Sequence, residues 1–156
     1  MLGRIFPKQF DNFYRGHWLA IWLLVPIVLL RLVIGANSIL NTRLVATTAD
    51  GIPLDSFGAA GAEAVIALFA LLGLYFVLLA LLGILVLIRY RAMIPLMYLL
   101  LLAQQLGGRV LGLLHPIARS GASSAQLGSA LILGILAATV LGFVLSLLGN
   151  SRSPEP

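Results

Sequence analysis

Four long apolar runs constrain the fold of this chain more than any other feature. They cover about residues 18–40, 60–88, 92–114 and 127–148. A helix of about 20 apolar residues spans the roughly 30 Å hydrocarbon core of a bilayer. Only 10% of the residues are charged, whereas a typical soluble domain has about 25%, so the chain lacks the polar surface that water requires. We therefore predict an all-α integral membrane protein, a four-helix transmembrane bundle formed by residues 18–148.

The segments outside the four runs carry different signals. Phe6, Phe10 and Phe13 recur at helical spacing before the first run, which predicts that residues 1–17 form an amphipathic helix in the membrane interface. An irregular interfacial anchor is the alternative. Residues 149–156 are polar and contain two prolines, so we expect a disordered tail.

Basic residues near the ends of the runs predict the orientation, because Lys and Arg are enriched on the cytoplasmic side of membrane proteins. Six lie on the side of the two termini, namely Arg4, Lys8, Arg15, Arg89, Arg91 and Arg152. Only Arg43 and Arg119 lie on the opposite side. We expect both termini in the cytoplasm and the protein in the inner membrane of a bacterial cell.

Three charged residues, Arg31, Glu63 and Arg109, lie within the apolar runs. A charge near the bilayer centre costs about 2.5–3.5 kcal/mol on insertion scales, so such a side chain normally faces protein or water. Counting about 1.5 Å per residue along each helix puts all three in the outer half of the bundle. We expect Arg31 and Arg109 to converge on Glu63 there, assisted by Gln105 and Ser38.

This predicted polar cluster has two interpretations. It is either an ion-pair network that fixes the register of the helices or a binding site. In the second case, two cations facing one anion leave an excess positive charge. That charge would hold a lipid headgroup, a carboxylate or a quinone carbonyl.

Small residues recur at every fourth position of the last run. They are Ala130, Gly134, Ala138, Gly142 and Ser146. Gly108 and Gly112 repeat the spacing in the third run. Small side chains let two helix backbones approach closely, so we expect these faces to be packing surfaces, against another helix of the chain or against a second subunit.

The connection over residues 41–58 contains turn signals. Gly51 follows Asp50, and Pro53 follows Ile52; Gly tolerates positive φ and Pro fixes its own φ. We expect a turn at each pair. Either Asp55 or Ser56 would then cap the second helix by accepting hydrogen bonds from backbone N–H groups.

Several functions are disfavoured by the residue inventory. The chain has no cysteine, which removes thiolate catalysis and cysteine-ligated metal sites. His17 and His115 fall on opposite sides of the predicted membrane, so one chain cannot supply a bis-histidine haem or metal site. No basic stripe suits nucleic acid, and no nucleophile, base and orienting residue form a known pattern. We expect no catalysis, no metal, no cofactor and no nucleic-acid partner.

Short motifs in three of the runs point to one family. Residues 29–35, LLRLVIG, resemble the opening LLRLxxG of the DoxX-like superfamily of small bacterial four-helix membrane proteins. Glu63 and the apolar run after it are similar to the second helix of that group, and residues 108–111, GRVL, resemble a third-helix arginine motif in related families. The resemblance implies a membrane subunit associated with quinone-linked or redox-linked systems. Of the family's motif residues, the resemblance identifies Arg31, Glu63 and Arg109 of this chain as candidate functional positions.

These observations together predict a non-catalytic accessory membrane protein. Its polar cluster stabilises the bundle and is expected to engage a membrane lipid, a membrane protein partner or a second copy of the chain. One alternative is a quinone-linked redox membrane subunit. Another is an oligomeric proton-coupled transporter centred on Glu63.

Overall fold

A computed structural model describes residues 5–7, 11–116 and 122–148, with the helical backbone alone for residues 122–130. The described residues form four long helices and no strand. The helices are α1 (Trp18–Leu40), α2 (Ala59–Ile88), α3 (Ile94–Leu114) and α4 (Ala122–Leu147). The predicted all-α class is confirmed for this part of the chain.

The long helices coincide closely with the apolar runs. Three segments are long and apolar enough to cross a bilayer: Trp18–Leu40, Ala59–Ile88 and Arg91–Leu114. The last of these includes a short 3₁₀ turn, Arg91–Met93, ahead of α3. Within α4, Leu131–Leu147 forms a shorter apolar helix. The structure therefore supports a membrane protein with at least three helices of spanning length.

Consecutive helices run in opposite directions. α1 packs along most of α2, and α4 contacts both α1 and α3, whereas α2 and α3 pack little against each other. We call the end that contains the start of α1, residues 89–93 and the end of α4 the terminal end. The opposite end, which contains residues 41–58, is the loop end.

Two glycines set the distance between α1 and α2. A Cβ atom added to Gly35 would lie 2.8 Å from the carbonyl oxygen of Gly73, and a Cβ added to Gly73 would lie 2.8 Å from the carbonyl oxygen of Gly35. Nearer the terminal end, a Cβ on Gly83 would lie 2.6 Å from Cγ2 of Val28. The two helices therefore touch backbone to backbone at one level and backbone to side chain at another.

The main core lies in the terminal half of the bundle. Its buried residues come from α1, α2 and α3: Ala20, Leu24, Ile27, Val28, Ala80, Val86, Ile94, Met97, Tyr98 and Leu101. The Tyr98 hydroxyl donates to the carbonyl oxygen of Ala20 at 2.6 Å. The ring of Tyr98 also contacts α4, where it fills the space beside Gly142. Tyr98 thus joins three helices.

Residues 11–17 cross the terminal end without forming a helix. The backbone N–H of His17 donates to Leu145 at 3.2 Å, and that of Ala92 donates to Asp11 at 3.3 Å. The Tyr14 hydroxyl donates to the carbonyl oxygen of His17 at 3.2 Å, and burial raises the pKa of this phenol above its usual range, so it stays protonated as a donor. Residues 11–17 are therefore irregular, and the predicted amphipathic helix does not extend over them.

Other predictions for the flanks lie outside the described residues. They concern residues 1–4 and 8–10, the side chain of Ala130, and the tail over 149–156.

The connection over residues 41–58 folds back onto the start of α2. Helical turns continue after α1, as Thr42–Leu44 and a π-helical turn, Val45–Ala49. The expected turn at Gly51 is confirmed by its φ of 67°. Three buried residues of the connection then pack against partly buried residues of α2. They are Ala46, Ile52 and Leu54 against Val65, Ile66 and Phe69.

The predicted cap of α2 is wrong. Gly58 is the N-cap residue, and no side chain of the described chain caps this helix. Asp55 instead pairs with Arg43, with 3.2 Å between Oδ1 and Nη2. The Ser56 hydroxyl donates to the carbonyl oxygen of Pro53 at 2.7 Å. Both side chains therefore bond within the connection and not to the first turn of α2.

Candidate binding site between the helices

Arg31 is the charged residue that the structure places between the helices. It lies in the middle of α1 and is half-buried. Its guanidinium donates to Oε1 of Gln104 on α3 and lies 5.4 Å from the ring centroid of Phe76 on α2, a cation–π distance. Among the described residues, no carboxylate lies within ion-pair distance of it. The charge is therefore held by an amide and an aromatic ring.

The next residue of α3 faces a different neighbour. Nε2 of Gln105 donates to Oγ1 of Thr139 on α4 at 3.0 Å, and the Thr139 hydroxyl donates to the carbonyl oxygen of Ile135 at 2.6 Å. Oε1 of Gln105 is buried and has no partner in the described part of the chain. Gln104 and Gln105 thus link α3 to α1 and to α4, and one acceptor between the helices is left without a donor.

Glu63 and Arg109 do not join Arg31. Both are exposed, and neither forms an ion pair with any residue that the structure describes. Glu63 lies four residues into α2, about 6 Å from the start of the helix, whereas Arg31 lies nine residues before the end of α1, about 13 Å from it. The expected convergence on Glu63 is not seen, because Arg31 lies deeper and faces Gln104.

Glu63 instead lines a groove at the loop end. The groove has an empty volume of about 670 Å³. The ion pair between Arg43 and Asp55 forms part of its wall. Every charged side chain of this groove is exposed, so it resembles a solvated surface more than an enclosed site.

Ser38 belongs to the α1–α2 contact, not to the polar cluster. It is buried, and its hydroxyl donates to the carbonyl oxygen of Ile34 at 2.9 Å. Its Cβ lies beside Gly73, 2.9 Å from where a Cβ on that glycine would be. A small side chain whose hydroxyl is satisfied within its own helix suits this close crossing.

The small residues predicted for packing divide into two groups. Gly142 and Ser146 are buried, and Ala138 packs against the main core. Around Gly134, Gly108 and Gly112, a Cβ would meet no atom of the described chain within 4 Å. The spacing therefore marks a packed face in the terminal half of α4 and an open one in the loop-end half of α3 and α4.

Sequence reasoning missed several residues that carry contacts. Gln104 and Thr139 were not predicted, although a glutamine and a threonine inside apolar runs are polar side chains that need partners. The Gly73, Ala80 and Gly83 face of α2 was also missed. Its spacing of seven and then three residues follows one side of a helix and was the available signal.

The arrangement offers groups that can bind a polar ligand. Arg31 offers N–H donors, and Gln105 offers an acceptor. The described residues contain no group of three or more His, Cys, Asp or Glu that would hold a metal ion.

Comparison of the chain with protein-family models, with curated proteins and with solved structures gives no match.

Proposed function

We propose that this chain is a non-catalytic accessory protein of a bacterial inner membrane, which crosses the bilayer four times. The three helices of spanning length and the apolar stretch of α4 support four spans. α1 begins and α4 ends at the same end of the bundle, as an even number of spans requires. The excess of Lys and Arg at this end favours both termini in the cytoplasm.

The second part of the proposal is that Arg31 binds the head group of a membrane-soluble ligand. The observation that carries it is a half-buried guanidinium with no carboxylate partner among the described residues. A guanidinium has five N–H donors, and the bond to Gln104 uses the terminal nitrogen Nη1. In the hydrocarbon region the remaining donors need acceptors. A phosphate, carboxylate or carbonyl oxygen would supply them.

A quinone-linked role is the second candidate, and two observations favour it. Phe76 presents an aromatic ring next to Arg31, where a quinone ring could stack while its carbonyl accepts from the guanidinium. The unpaired acceptor of Gln105 suits the hydroxyl of a quinol. This candidate agrees with the proposed membership in the DoxX-like superfamily. Proton-coupled transport is not favoured, because Glu63 is exposed at the loop end.

The test is native mass spectrometry of the protein released gently from its own membrane. Wild type should retain a phospholipid or a quinone in stoichiometric amount. Arg31→Ala should lose it and Gln104→Ala should retain less, because the amide orients the guanidinium. Arg43→Ala is the matched control, since it removes an exposed arginine and should leave the ligand bound.

The mass of the ligand separates the two candidates. A phospholipid supports the accessory role alone, and a quinone supports the redox-linked role. A wild-type protein without ligand, or an Arg31→Ala variant with undiminished ligand, would refute binding at Arg31.

A further inference from the structure

A polar side chain lies on the exposed face of α2, near the middle of the helix. Tyr75 is 61% exposed, and it has no hydrogen bond or ring contact within the described part of the chain. Gly73, two residues earlier, packs against Gly35 of α1, and two residues correspond to a rotation of about 200° around a helix. Tyr75 therefore points away from α1.

The position of Tyr75 along α2 places its hydroxyl deep in the hydrocarbon region. It follows Ala59 by 16 residues and precedes Ile88 by 13, which corresponds to about 24 Å and 20 Å of helix. The next residue, Phe76, contacts Arg31, which lies two residues past the middle of α1. Both helices thus put Tyr75 within a few ångströms of their midpoints. In a hydrocarbon core about 30 Å thick, its hydroxyl cannot reach the headgroups at either surface.

Exposed leucines extend this face of α2 in both directions, at the spacing of a two-stranded coiled coil. The steps between them alternate between three and four residues. Their mean of 3.5 residues keeps one face of a helix against a left-handed partner, and left-handed crossings are the commonest in membrane bundles. We call the six residues the α2 stripe: Leu68, Leu71, Tyr75, Leu78, Leu82 and Leu85, all exposed.

Lipid chains can cover the leucines of the stripe, but they offer the Tyr75 hydroxyl no partner. In hydrocarbon, a polar group without a hydrogen bond is costly. The polar side chains of the other helices at this depth lie between the helices, where Arg31 bonds Gln104 and Gln105 bonds Thr139. Because Tyr75 points outward, its partner is expected on another molecule.

A second copy of the chain supplies that partner at the right depth. Copies inserted with the same orientation are related by an axis along the membrane normal, so each residue on the axis meets its own equivalent at equal depth. Two tyrosine hydroxyls are complementary to each other, because one donates while the other accepts. The leucines of two identical stripes also pack against each other at every level.

We propose that this chain forms a parallel twofold dimer through the α2 stripe, with the two Tyr75 hydroxyls hydrogen-bonded to each other. The leucines supply the packing area on which association in lipid depends. The tyrosine, at a central position of the stripe, fixes the register of the two helices, as a polar core residue does in a coiled coil. The proposal does not depend on a ligand at Arg31.

Disulfide crosslinking tests where the two copies meet, because the chain has no cysteine of its own. Leu78→Cys places a thiol on the stripe and keeps the Tyr75 hydroxyl. Oxidation in vesicles with iodine, which dissolves in lipid, should give a disulfide-linked dimer. Leu141→Cys is the control, because it lies on α4 two residues from Thr139 and Leu141 is as exposed as Leu78. Equal yields of linked dimer in the two variants would refute the interface.

Truncation of two leucines tests the packing of the stripe. Leu71→Ala combined with Leu78→Ala should raise the dimer dissociation constant at least about tenfold. Leu133→Ala combined with Leu141→Ala removes two similarly exposed leucines of α4 and should leave the constant unchanged. Subunit counting by single-molecule photobleaching in vesicles measures the dimer fraction. A monomeric wild type, or the same rise in both double variants, would overturn the proposal.

Tyr75→Phe tests the hydrogen bond between the copies, since it keeps both rings and removes only the hydroxyls. Hydrogen bonds between membrane helices are weak on average, so we expect the dissociation constant to rise about threefold. At dilutions that leave the detergent-solubilised chain monomeric, the same exchange should leave the unfolding free energy unchanged, which separates association from folding. An unchanged dissociation constant would show that the two hydroxyls do not pair.

Discussion

The helix pairs α1–α2 and α3–α4 use small residues in different ways. In α1–α2, Gly35 and Gly73 bring the two backbones into contact at one crossing. In α3–α4, Gly142 receives the ring of Tyr98, but Gly108 and Gly134 face no described atom within 4 Å of an added Cβ. One pair is closely packed at its glycines, and the other is closely packed only towards the terminal end.

The difference shows that a small residue permits a contact without specifying its partner. Gly134 and Gly142 are eight residues apart on α4 and share a face by their spacing. Only Gly142 meets a side chain, because Tyr98 lies opposite it. An open glycine face in a bilayer is available to lipid or to another subunit.

The largest loss of unfolding free energy is expected from Gly73→Val. The added Cβ would lie 2.8 Å from the carbonyl oxygen of Gly35, and backbone cannot move aside as a side chain can. Overpacking usually costs about 1–3 kcal/mol of stability and sometimes more, so we expect this variant to lose about 3 kcal/mol or more of unfolding free energy. Equilibrium unfolding in mixed micelles measures that loss.

Gly107→Val is the matched control for this prediction. It is the same exchange within a helix, at a glycine around which a Cβ meets no described atom within 4 Å. A similar loss of stability in both variants would mean that the α1–α2 crossing is not as close as the structure shows.

A smaller loss of unfolding free energy is expected from substitutions in α4, where two glycines of the same helix can be compared. Gly142→Leu must displace the ring of Tyr98, at a cost of about 1–3 kcal/mol. Gly134→Leu meets open space and should leave the unfolding free energy nearly unchanged. Thermal unfolding of the two variants in the same detergent checks the difference. Equal shifts would indicate that the loop-end half of α4 is packed after all.

The sequence predicted the helices well because the signal for them is strong. Apolar runs of spanning length leave the backbone no alternative to helix in lipid, so the start at Trp18 and the end at Ile88 followed from composition alone. Helix caps were harder to predict. The sequence predicts that Asp55 or Ser56 caps the first turn of α2, but both side chains bond within the connection.

The polar contacts could not be predicted from the sequence, because they depend on helix rotation and depth. Gln104 and Gln105 are neighbours, and 100° of rotation decides which faces α1 and which faces α4. Attraction between opposite charges suggested Arg31 with Glu63. The structure gives Arg31 an amide and an aromatic ring instead, since Glu63 lies nearer the loop end and outside the bundle.

Tyr98→Phe tests how much the terminal-end core gains from a hydrogen bond between helices. The variant keeps the ring beside Gly142 and loses only the bond to Ala20. A buried hydrogen bond contributes about 1 kcal/mol net, and somewhat less between membrane helices. Tyr75→Phe, at an exposed tyrosine of α2, is the control. An unfolding free energy lowered equally by both exchanges would show that the Ala20 bond adds nothing specific.

The smallest loss of unfolding free energy is expected at the loop end, from Arg43→Gln. The side chain of Arg43 is 65% exposed and that of Asp55 is 93% exposed, so water and salt screen the ion pair between them. Pairs of this kind contribute about 0.2–1 kcal/mol, and we expect the lower part of that range. Arg43→Gln, Asp55→Asn and the double variant form a cycle, measured by unfolding at low and at high salt. A coupling that exceeds the loss in Tyr98→Phe, or that persists at high salt, would mean that this ion pair holds the connection on α2. The expected outcome assigns that role to the contacts of Ile52 and Leu54 with α2.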